Sequence, residues 1–348
     1  KRGTASFKGA LLYDAERGVE LHGDARAEQL YYRDESTLLG PIALRGRLDE
    51  VPSSITLTNL RAEGLGGALI GGFGWKPKEG WKFDGNLQGL PLRGVLEQLQ
   101  VKGGSWSGVI GGPLRASGGK APLSVDTDLK IEGKDGELPL DGLVALRYDG
   151  ISGQLEARHS FVRLPRTRLN FAGSMREGLR VQLQTSDLKE LSPAGKLAGF
   201  GDALDALALR EGSLSINGLL RGTIQSPLYR GRVEASNLFW QGHLFNKVAS
   251  TVDLGEELLS LTGVELDRQG GMLRGEIRAA LDDGRISKQS LLTGSLRLNL
   301  PEVSGLAKEF GVGQGLSGGL EMALNLKGSL GAPTAGGTLR SERLVWDG

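Results

Sequence analysis

Three observations predict an all-β fold for this chain of 348 residues. Apolar and polar residues alternate along many short segments, the 56 glycines cluster between those segments, and one spaced motif occurs twice. Alternation with a period of two places apolar side chains on one face of a strand and polar ones on the other. Glycine-rich connections suit tight turns between strands. We therefore predict antiparallel sheets with one hydrated face, built from on the order of 25 to 30 strands.

The repeated motif lies at Leu220–Gly242 and Leu326–Gly348, which align without a gap. Both stretches share Leu, a basic residue, Gly, Ser or Thr and an aliphatic residue, then Pro, a second Gly and a closing Leu-x-Trp-x-Gly. Spaced repetition of this kind predicts a repeated β unit. A weaker third copy, with the same spacing from Gly to Pro, is predicted at Trp106–Pro113.

The alternating segments define a candidate apolar face. Examples are VDTDLKI from Val125, LRVQL from Leu179 and LEMALNLK from Leu320. The predicted face residues are Ile55, Leu57, Val125, Leu129, Ile131, Leu179, Val181, Leu183, Leu214, Ile216, Leu273, Ile277, Leu296, Leu298, Leu320, Met322, Leu324 and Leu326.

Short amphipathic helices are predicted at three places, each directly after an alternating segment. They are Pro91–Gln100, Asp187–Leu209 and Pro301–Phe310, where Leu recurs at three- or four-residue spacing and Pro suits a first helical turn. In the central segment Ser186 or Asp187 could cap the helix, Glu190 has the capping-box spacing from Asp187, and Pro193 should divide the helix in two.

The recurrence of strands followed by a short helix predicts a repeating unit of roughly 100 residues. The predicted domains are residues 1–100, 101–210 and 211–311, with 312–348 as the start of a further repeat. Because the chain opens within the pattern and the second copy of the motif stops at Gly348, we expect an internal segment of a longer protein.

Charge and composition exclude several function classes. The 42 basic and 41 acidic residues are spread along the chain, which argues against the concentrated basic patch of a nucleic-acid-binding protein. The chain has no Cys, and His22, His159 and His243 have no metal-ligand spacing. Gly313, Gly315 and Gly318 match a dinucleotide fingerprint in spacing, but a helix-like segment precedes them and a strand follows, which is the wrong order. We therefore expect no catalytic site, no metal and no cofactor.

The apolar face has two interpretations. It is the core of a closed sandwich or solenoid, or it is the wall of an open groove that shelters an apolar cargo. Aromatic residues are only 5% of the chain, and the predicted face is mainly Leu, Val and Ile. Smooth aliphatic walls suit flexible acyl chains better than small molecules, which need converging polar groups. An enzyme on a β-helix, such as a polysaccharide lyase, would need clustered charged side chains on one sheet, and none are evident.

The repeated motif resembles the AsmA-like family of bacterial envelope proteins, and in particular its translocation and assembly module (TamB) branch. The stretches LKGSLGAPTAGGTLRSERLVWDG and LRGTIQSPLYRGRVEASNLFWQG carry the resemblance, with GSLRLNLPEVSGLAKEF and LRVQLQTSDLKEL as supporting segments. The clear resemblance covers about residues 212 to 348. It implies an elongated, twisted antiparallel sheet curved into a U-shaped (β-taco) hydrophobic groove.

The same resemblance implies a function. Such proteins are anchored in the inner membrane by an N-terminal helix, cross the periplasm of Gram-negative-type bacteria and are thought to carry phospholipids toward the outer membrane. The expected role is a segment of a lipid conduit that supports outer-membrane biogenesis, with phospholipids and an outer-membrane β-barrel protein as partners. The alternative is a structural or assembly-factor β-solenoid that aids outer-membrane protein insertion without lipid cargo.

Overall fold

The computed structural model describes residues 3–16, 18–33, 38–51, 53–98, 106–136, 138–197, 204–224, 226–268, 270–282, 284–304 and 316–346. These residues form 22 strands, and the chain divides into two compact units. The first unit contains residues 1–177 and 190–201, and the second contains residues 178–189 and 202–348. The all-β prediction is confirmed, and each unit is described by itself below.

The first unit has twelve strands and two short helices. The strands are β1 Thr4–Asp14, β2 Gly18–Arg33, β3 Leu38–Val51, β4 Ser54–Gly64, β5 Gly67–Lys76, β6 Gly80–Pro91, β7 Trp106–Gly118, β8 Ser124–Gly133, β9 Leu138–Pro139, β10 Asp141–Asp149, β11 Gln154–Arg163 and β12 Thr167–Ser174. The helices are α1 Leu92–Gln98 and α2 Ser192–Leu197, and a 3-10 helix, Leu188–Leu191, directly precedes α2.

The second unit has ten strands. They are β13 Leu179–Thr185, β14 Leu207–Leu209, β15 Leu214–Gly222, β16 Pro227–Trp240, β17 His243–Leu254, β18 Leu258–Arg268, β19 Gly271–Ala280, β20 Leu292–Leu300, β21 Leu316–Ser329 and β22 Ala332–Trp346.

Neighbouring strands in each unit pair antiparallel in nearly strict chain order. The two departures are β9, which runs parallel to β7, and β14, which pairs with one end of β16 while β15 pairs with the rest. Among the described residues the first and last strands of each unit are not paired with each other. Within that part of the chain, the sheet of each unit is therefore open and does not close into a barrel.

Several of the long strands contain a β-bulge. The register shifts between Leu57 and Leu60 in β4, and Asn59 inside that shift has a left-handed φ of 49°. A bulge inserts an extra residue and bends the strand, so each long strand can follow a curved surface without losing its pairing. Long bulged strands also explain why the described residues hold 22 strands rather than the 25 to 30 expected.

Pairs of glycines face each other on neighbouring strands, at positions where a side chain would collide with its surroundings. Gly71 in β5 faces Gly85 in β6, and a Cβ on Gly85 would lie 2.8 Å from the Cα of Gly71 and 2.7 Å from the ring of Phe83. The Phe83 ring thus occupies the space above the glycine pair. Gly218 and Gly231 form the same arrangement in the second unit, where the Tyr229 ring covers them.

Both clear copies of the repeated motif form β-hairpins. The copy at Leu220–Gly242 joins β15 to β16, and the copy at Leu326–Gly348 joins β21 to β22. In each hairpin the first Gly lies directly opposite the Pro, as Gly222 to Pro227 and Gly328 to Pro333. The third copy is wrong, because Trp106–Pro113 lies within the single strand β7 and makes no turn.

The helix predictions hold only in part. Leu92–Gln98 is helical as predicted within Pro91–Gln100, whose last two residues lie outside the described ranges. The prediction at Asp187–Leu209 is wrong at its end, because Leu207–Leu209 pairs with β16 as a strand. The prediction at Pro301–Phe310 lies outside the described residues from position 305 onward.

The central helical segment begins as expected but has no capping box. The Asp187 carboxylate accepts the backbone N–H of Lys189 at 3.0 Å, which caps the 3-10 helix. The Glu190 carboxylate instead accepts the backbone N–H of Arg166, at 3.0 and 3.1 Å to its two oxygens. Pro193 lies in the first turn of α2, where its missing N–H costs nothing.

We predicted the repeats from recurring sequence patterns, with boundaries at 1–100, 101–210, 211–311 and 312–348. The two compact units are instead defined by packing within the structure. Their boundaries are different, because the change of unit falls between residues 177 and 202. The repeat boundaries stay a prediction.

Candidate functional site

The apolar face of the first unit is continuous across its strands. Directly paired residues of antiparallel strands point to the same face of a sheet. One row of such pairs runs from β3 to β11 with one residue from each strand it crosses, and its members are Leu48, Leu57, Phe73, Phe83, Ala116, Val125, Tyr148 and Leu155. The register therefore aligns apolar side chains from sequence positions that are about a hundred residues apart.

The second unit has an equivalent face. One row of paired residues crosses it from β15 to β22, and its members are Leu214, Ala235, Val248, Leu266, Leu273, Leu298, Met322 and Leu339. Parallel rows on the same face run through Ile216 and Val233 and through Leu296 and Leu324.

All of the face residues predicted from the sequence lie on these two faces, each on the face of its own unit. Their side chains are half-buried, apart from Leu179, which is buried. Many of the alternating neighbours, such as Asp128, Arg180 and Arg297, point to the other face and are exposed. A closed core would bury the apolar set completely, so partial exposure indicates a face that is open to solvent.

Sequence reasoning missed a part of this face. Phe73 and Phe83 lie within it, as do Val233 and Leu261. The segments around Phe73 and Phe83 place glycine at the inward positions 71 and 85, so simple alternation of apolar and polar residues is interrupted there. The sequence pattern that could have revealed Phe83 as a face residue is an aromatic residue two positions before an inward glycine, as in Phe83-x-Gly85.

A cavity of about 650 Å³ lies on the face of the first unit. It is lined by three consecutive residues from each of six strands and by Ile151, and the central residues are Leu57, Phe73, Phe83, Ala116, Val125 and Tyr148. These positions are close to the strand ends that join the turns at 77–79, 119–123 and 150–153. The cavity is thus at one edge of the sheet.

The opposite edge of the same face is filled. Leu92 and Leu96 of α1 pack against Ile110, Leu140 and Leu164, and all five side chains are at most 9% exposed. The indole N–H of Trp106 donates to the Glu190 carbonyl at 2.9 Å beside this cluster. Close packing of this kind leaves no room for a ligand at this edge, which we call the helix edge.

The other face of each sheet carries ion pairs. Arg158 contacts Asp126 and Asp128 at 2.9 Å each, and Asp126, followed by Asp128, raises the pKa of the guanidinium. In the second unit, Lys247 and then Arg274 lower the pKa of the Glu265 carboxylate. These pairs are largely exposed, and they keep the polar face hydrated.

The described residues hold no cluster of candidate metal ligands. No group of three or more His, Asp or Glu side chains there is close enough to hold a metal ion. His22 contacts Asp49 at 2.9 Å and Glu20 at 3.5 Å, and hydrogen bonds to Asp49 and then Glu20 raise its pKa. All three side chains are partly open to water, so the trio forms a surface ion-pair cluster.

The apolar face of the second unit includes a buried polar atom, the hydroxyl oxygen of Tyr229. The Tyr229 hydroxyl is buried without a hydrogen-bond partner among the described residues, and burial raises its pKa. It lies above the Gly218 and Gly231 pair.

Within the described ranges, no helix has both the length and the apolar character needed to cross a bilayer. Comparisons of the chain with protein-family models, with curated proteins and with solved structures gave no match.

Proposed function

We propose that this chain is a segment of a lipid conduit, in which the apolar face shields the acyl chains of phospholipids. The observation that carries the proposal is a continuous, largely half-buried apolar face across the open sheet of each unit. Leaving that much apolar surface in water costs roughly 25 cal/mol per Å², so a soluble protein that keeps such a face uncovered needs an apolar partner for it.

The composition of the face favours acyl chains as that partner. Rows such as Leu273, Leu298 and Met322 are aliphatic and flexible, and they present few polar groups that would fix a rigid ligand. Transfer of an acyl chain from a bilayer to this face exchanges one apolar environment for another, so the net free-energy change is small. Lipids could therefore slide along the face, and the direction of flow would have to come from another component.

The size of one unit suits this role. Eleven strands of the first unit pair antiparallel, which at a spacing of about 4.8 Å gives roughly 50 Å across the strands. One leaflet of a bilayer core is about 15 Å thick, so an extended acyl chain that lies along a strand covers about five residues at roughly 3.3 Å per residue. Each unit could hold several lipids in sequence.

The wider setting rests on the resemblance of the repeated motif. We propose a periplasmic location within an inner-membrane-anchored envelope protein that supports outer-membrane biogenesis. An outer-membrane β-barrel protein is the proposed partner at the far end. The alternative remains a structural or assembly-factor β-solenoid, in which the same face is covered by protein rather than lipid.

Site-specific photocrosslinking in cells, with lipid analysis of the purified chain, tests the proposal. A crosslinker at Leu298, on the apolar face, should capture phospholipid, whereas the adjacent Arg297, on the polar face, serves as the matched control. Mass spectrometry should find phospholipid in the extracted protein. Absence of lipid from both measurements would overturn the proposal, and capture of a protein at Leu298 would favour the alternative.

A further inference from the structure

The two edges of the apolar face in the first unit are different, and this difference bears on how a lipid would lie there. We use the name mouth for the edge formed by the turns at 77–79, 119–123 and 150–153 together with the strand ends beside them. The cavity lies beside the mouth, while the opposite edge is filled by the α1 cluster around Leu96 and Leu140. Of these two edges, only the mouth therefore leaves room for a lipid headgroup.

The mouth exposes large apolar side chains at successive turns. Trp75 is 38% exposed, Leu123 is 47% exposed and Ile151 is 75% exposed. Each lies at or next to the tip of a different turn, so they are neighbours along the edge. At the helix edge, by contrast, Leu92, Leu140 and Leu164 are all buried.

Aromatic residues concentrate just inside the mouth. Trp75 pairs with Trp81 across β5 and β6, and the Phe73 and Trp81 rings stack with centroids 6.5 Å apart. Tyr148 lies on the same face and lines the cavity. Trp and Tyr are enriched where acyl chains meet headgroups, because their rings are apolar and their N–H or O–H groups are polar.

The turns of the mouth also carry unpaired positive charge. Lys78 and Lys120 are exposed, and neither makes an ion pair within the described part of the chain. Their turns are adjacent, since a Cβ on Gly80 would collide with the Gly118 carbonyl oxygen.

The acidic groups of the mouth are already engaged. Glu79 is paired with Lys76 at 3.0 Å. The Asp149 carboxylate accepts the backbone N–H groups of Ile151 and Ser152. The charged groups of the mouth that remain available to a ligand are therefore the ammonium groups of Lys78 and Lys120.

We propose that the mouth is a headgroup-binding edge, where Lys78 and Lys120 meet the phosphate of a phospholipid whose acyl chains point toward α1. This orientation rests on the proposed lipid-conduit function and adds to it a fixed direction for the lipid across the sheet. The anionic phosphate complements the two cations, the indole rings lie at the boundary, and the cavity receives the proximal part of the acyl chains.

Fluorescence quenching by nitroxide lipids tests the orientation. The chain has no Cys, so Ile151→Cys at the mouth and Lys134→Cys at the helix edge give two singly labelled proteins at exposed positions. The proteins are loaded with phosphatidylglycerol containing a nitroxide on the headgroup or at the end of the acyl chain. The headgroup nitroxide should quench the label at 151 more strongly than the label at 134, and the acyl-chain nitroxide should reverse that order.

The outcomes separate the two proposals. Equal quenching of both labels by the headgroup nitroxide, or stronger quenching at 134, would overturn the orientation while leaving lipid binding intact. Failure of the protein to retain either nitroxide lipid would overturn the lipid-conduit function as well.

Charge reversal at the mouth gives a second, independent measurement. A lysine near an anionic lipid surface contributes about fivefold in affinity, so the double variant K78E/K120E should bind phosphatidylglycerol more than tenfold more weakly at low salt. K134E, at the helix edge, is the matched control and should bind as the unaltered protein does. Unchanged binding by K78E/K120E would refute the role of the two lysines.

Discussion

The clearest test of whether the apolar face is open introduces an aspartate at two positions of the first unit. One position is on the face, and the other is in the packed cluster beneath α1. Val125 is half-buried in the cavity floor, where it faces Ala116 and Tyr148 in the neighbouring strands. Leu140 is 3% exposed and lies in the cluster beneath α1. We predict opposite outcomes for Val125→Asp and Leu140→Asp.

The magnitudes follow from burial. Val125→Asp loses part of the burial of one valine, about 1 kcal/mol, and its carboxylate stays in contact with water. Leu140→Asp loses a buried leucine, about 2 to 5 kcal/mol, and also places a carboxylate in an apolar site at a further cost of several kcal/mol. That sum approaches the whole free energy of unfolding of a typical domain, about 5 to 15 kcal/mol.

Thermal unfolding and lipid analysis together give the readout. Val125→Asp should fold with a Tm lower by about 2 to 4 °C and should carry less phospholipid, whereas Leu140→Asp should not fold. Gln88→Asp, at an exposed position on the polar face, controls for the added charge. Unfolding of Val125→Asp would show that the face is a closed core. Normal folding with undiminished lipid would show that this part of the face does not contact lipid.

Three further predictions concern local structure. Gly85→Ala should lower the Tm, because the new Cβ would collide with the Ile70 carbonyl oxygen. Trp106→Phe should cost about 1 to 2 kcal/mol by leaving the Glu190 carbonyl without its indole donor, which thermal unfolding can measure. The raised pKa of His22, caused by Asp49 and Glu20, means that its ion pairs stabilise the fold below the unfolded pKa of about 6.5. This stabilisation should disappear as pH rises through the folded pKa, so the Tm of the unaltered protein and of His22→Gln should converge at alkaline pH.

Two of these predictions have a matched control, and the third has an outcome that would contradict it. Gly74→Ala should leave the Tm unchanged, because a Cβ there would meet nothing within 4 Å. Trp75→Phe removes an exposed indole and should have little effect on stability. For His22, a Tm difference from His22→Gln that is constant with pH would contradict the ion-pair account.

Local alternation was sufficient to predict the all-β fold, and it assigned each alternating residue to one of two faces. Because side chains in a strand point alternately to opposite faces, a run such as Leu296-Arg297-Leu298 determines its own two faces without any partner. The hairpins at Gly222 and Gly328 were predictable for the same local reason. Glycine and proline there restrict the backbone within a few residues.

Features that depend on distant partners were not predictable in this way. Leu207–Leu209 has helical spacing, yet it forms a strand because β16 offers it unpaired backbone groups. Glu190 has the capping-box spacing from Asp187, but it binds the backbone of Arg166 instead. Phe73 and Phe83 were missed because inward glycines, acceptable only against a close neighbouring strand, interrupt the alternation.

The repeated motif and the period-two pattern were enough, on their own, to establish an all-β array with one apolar face, since both act through local backbone geometry. The tertiary structure decided which edge of that face is filled by packed side chains and which edge is left open. Only packing between distant segments, with α1 against Leu140 and Leu164 and an unfilled cavity beside Tyr148, closes one edge of the first unit and leaves the other open. The cross-strand register that aligns these segments depends on where each bulge falls, and that position is set by contacts between strands rather than by either strand alone.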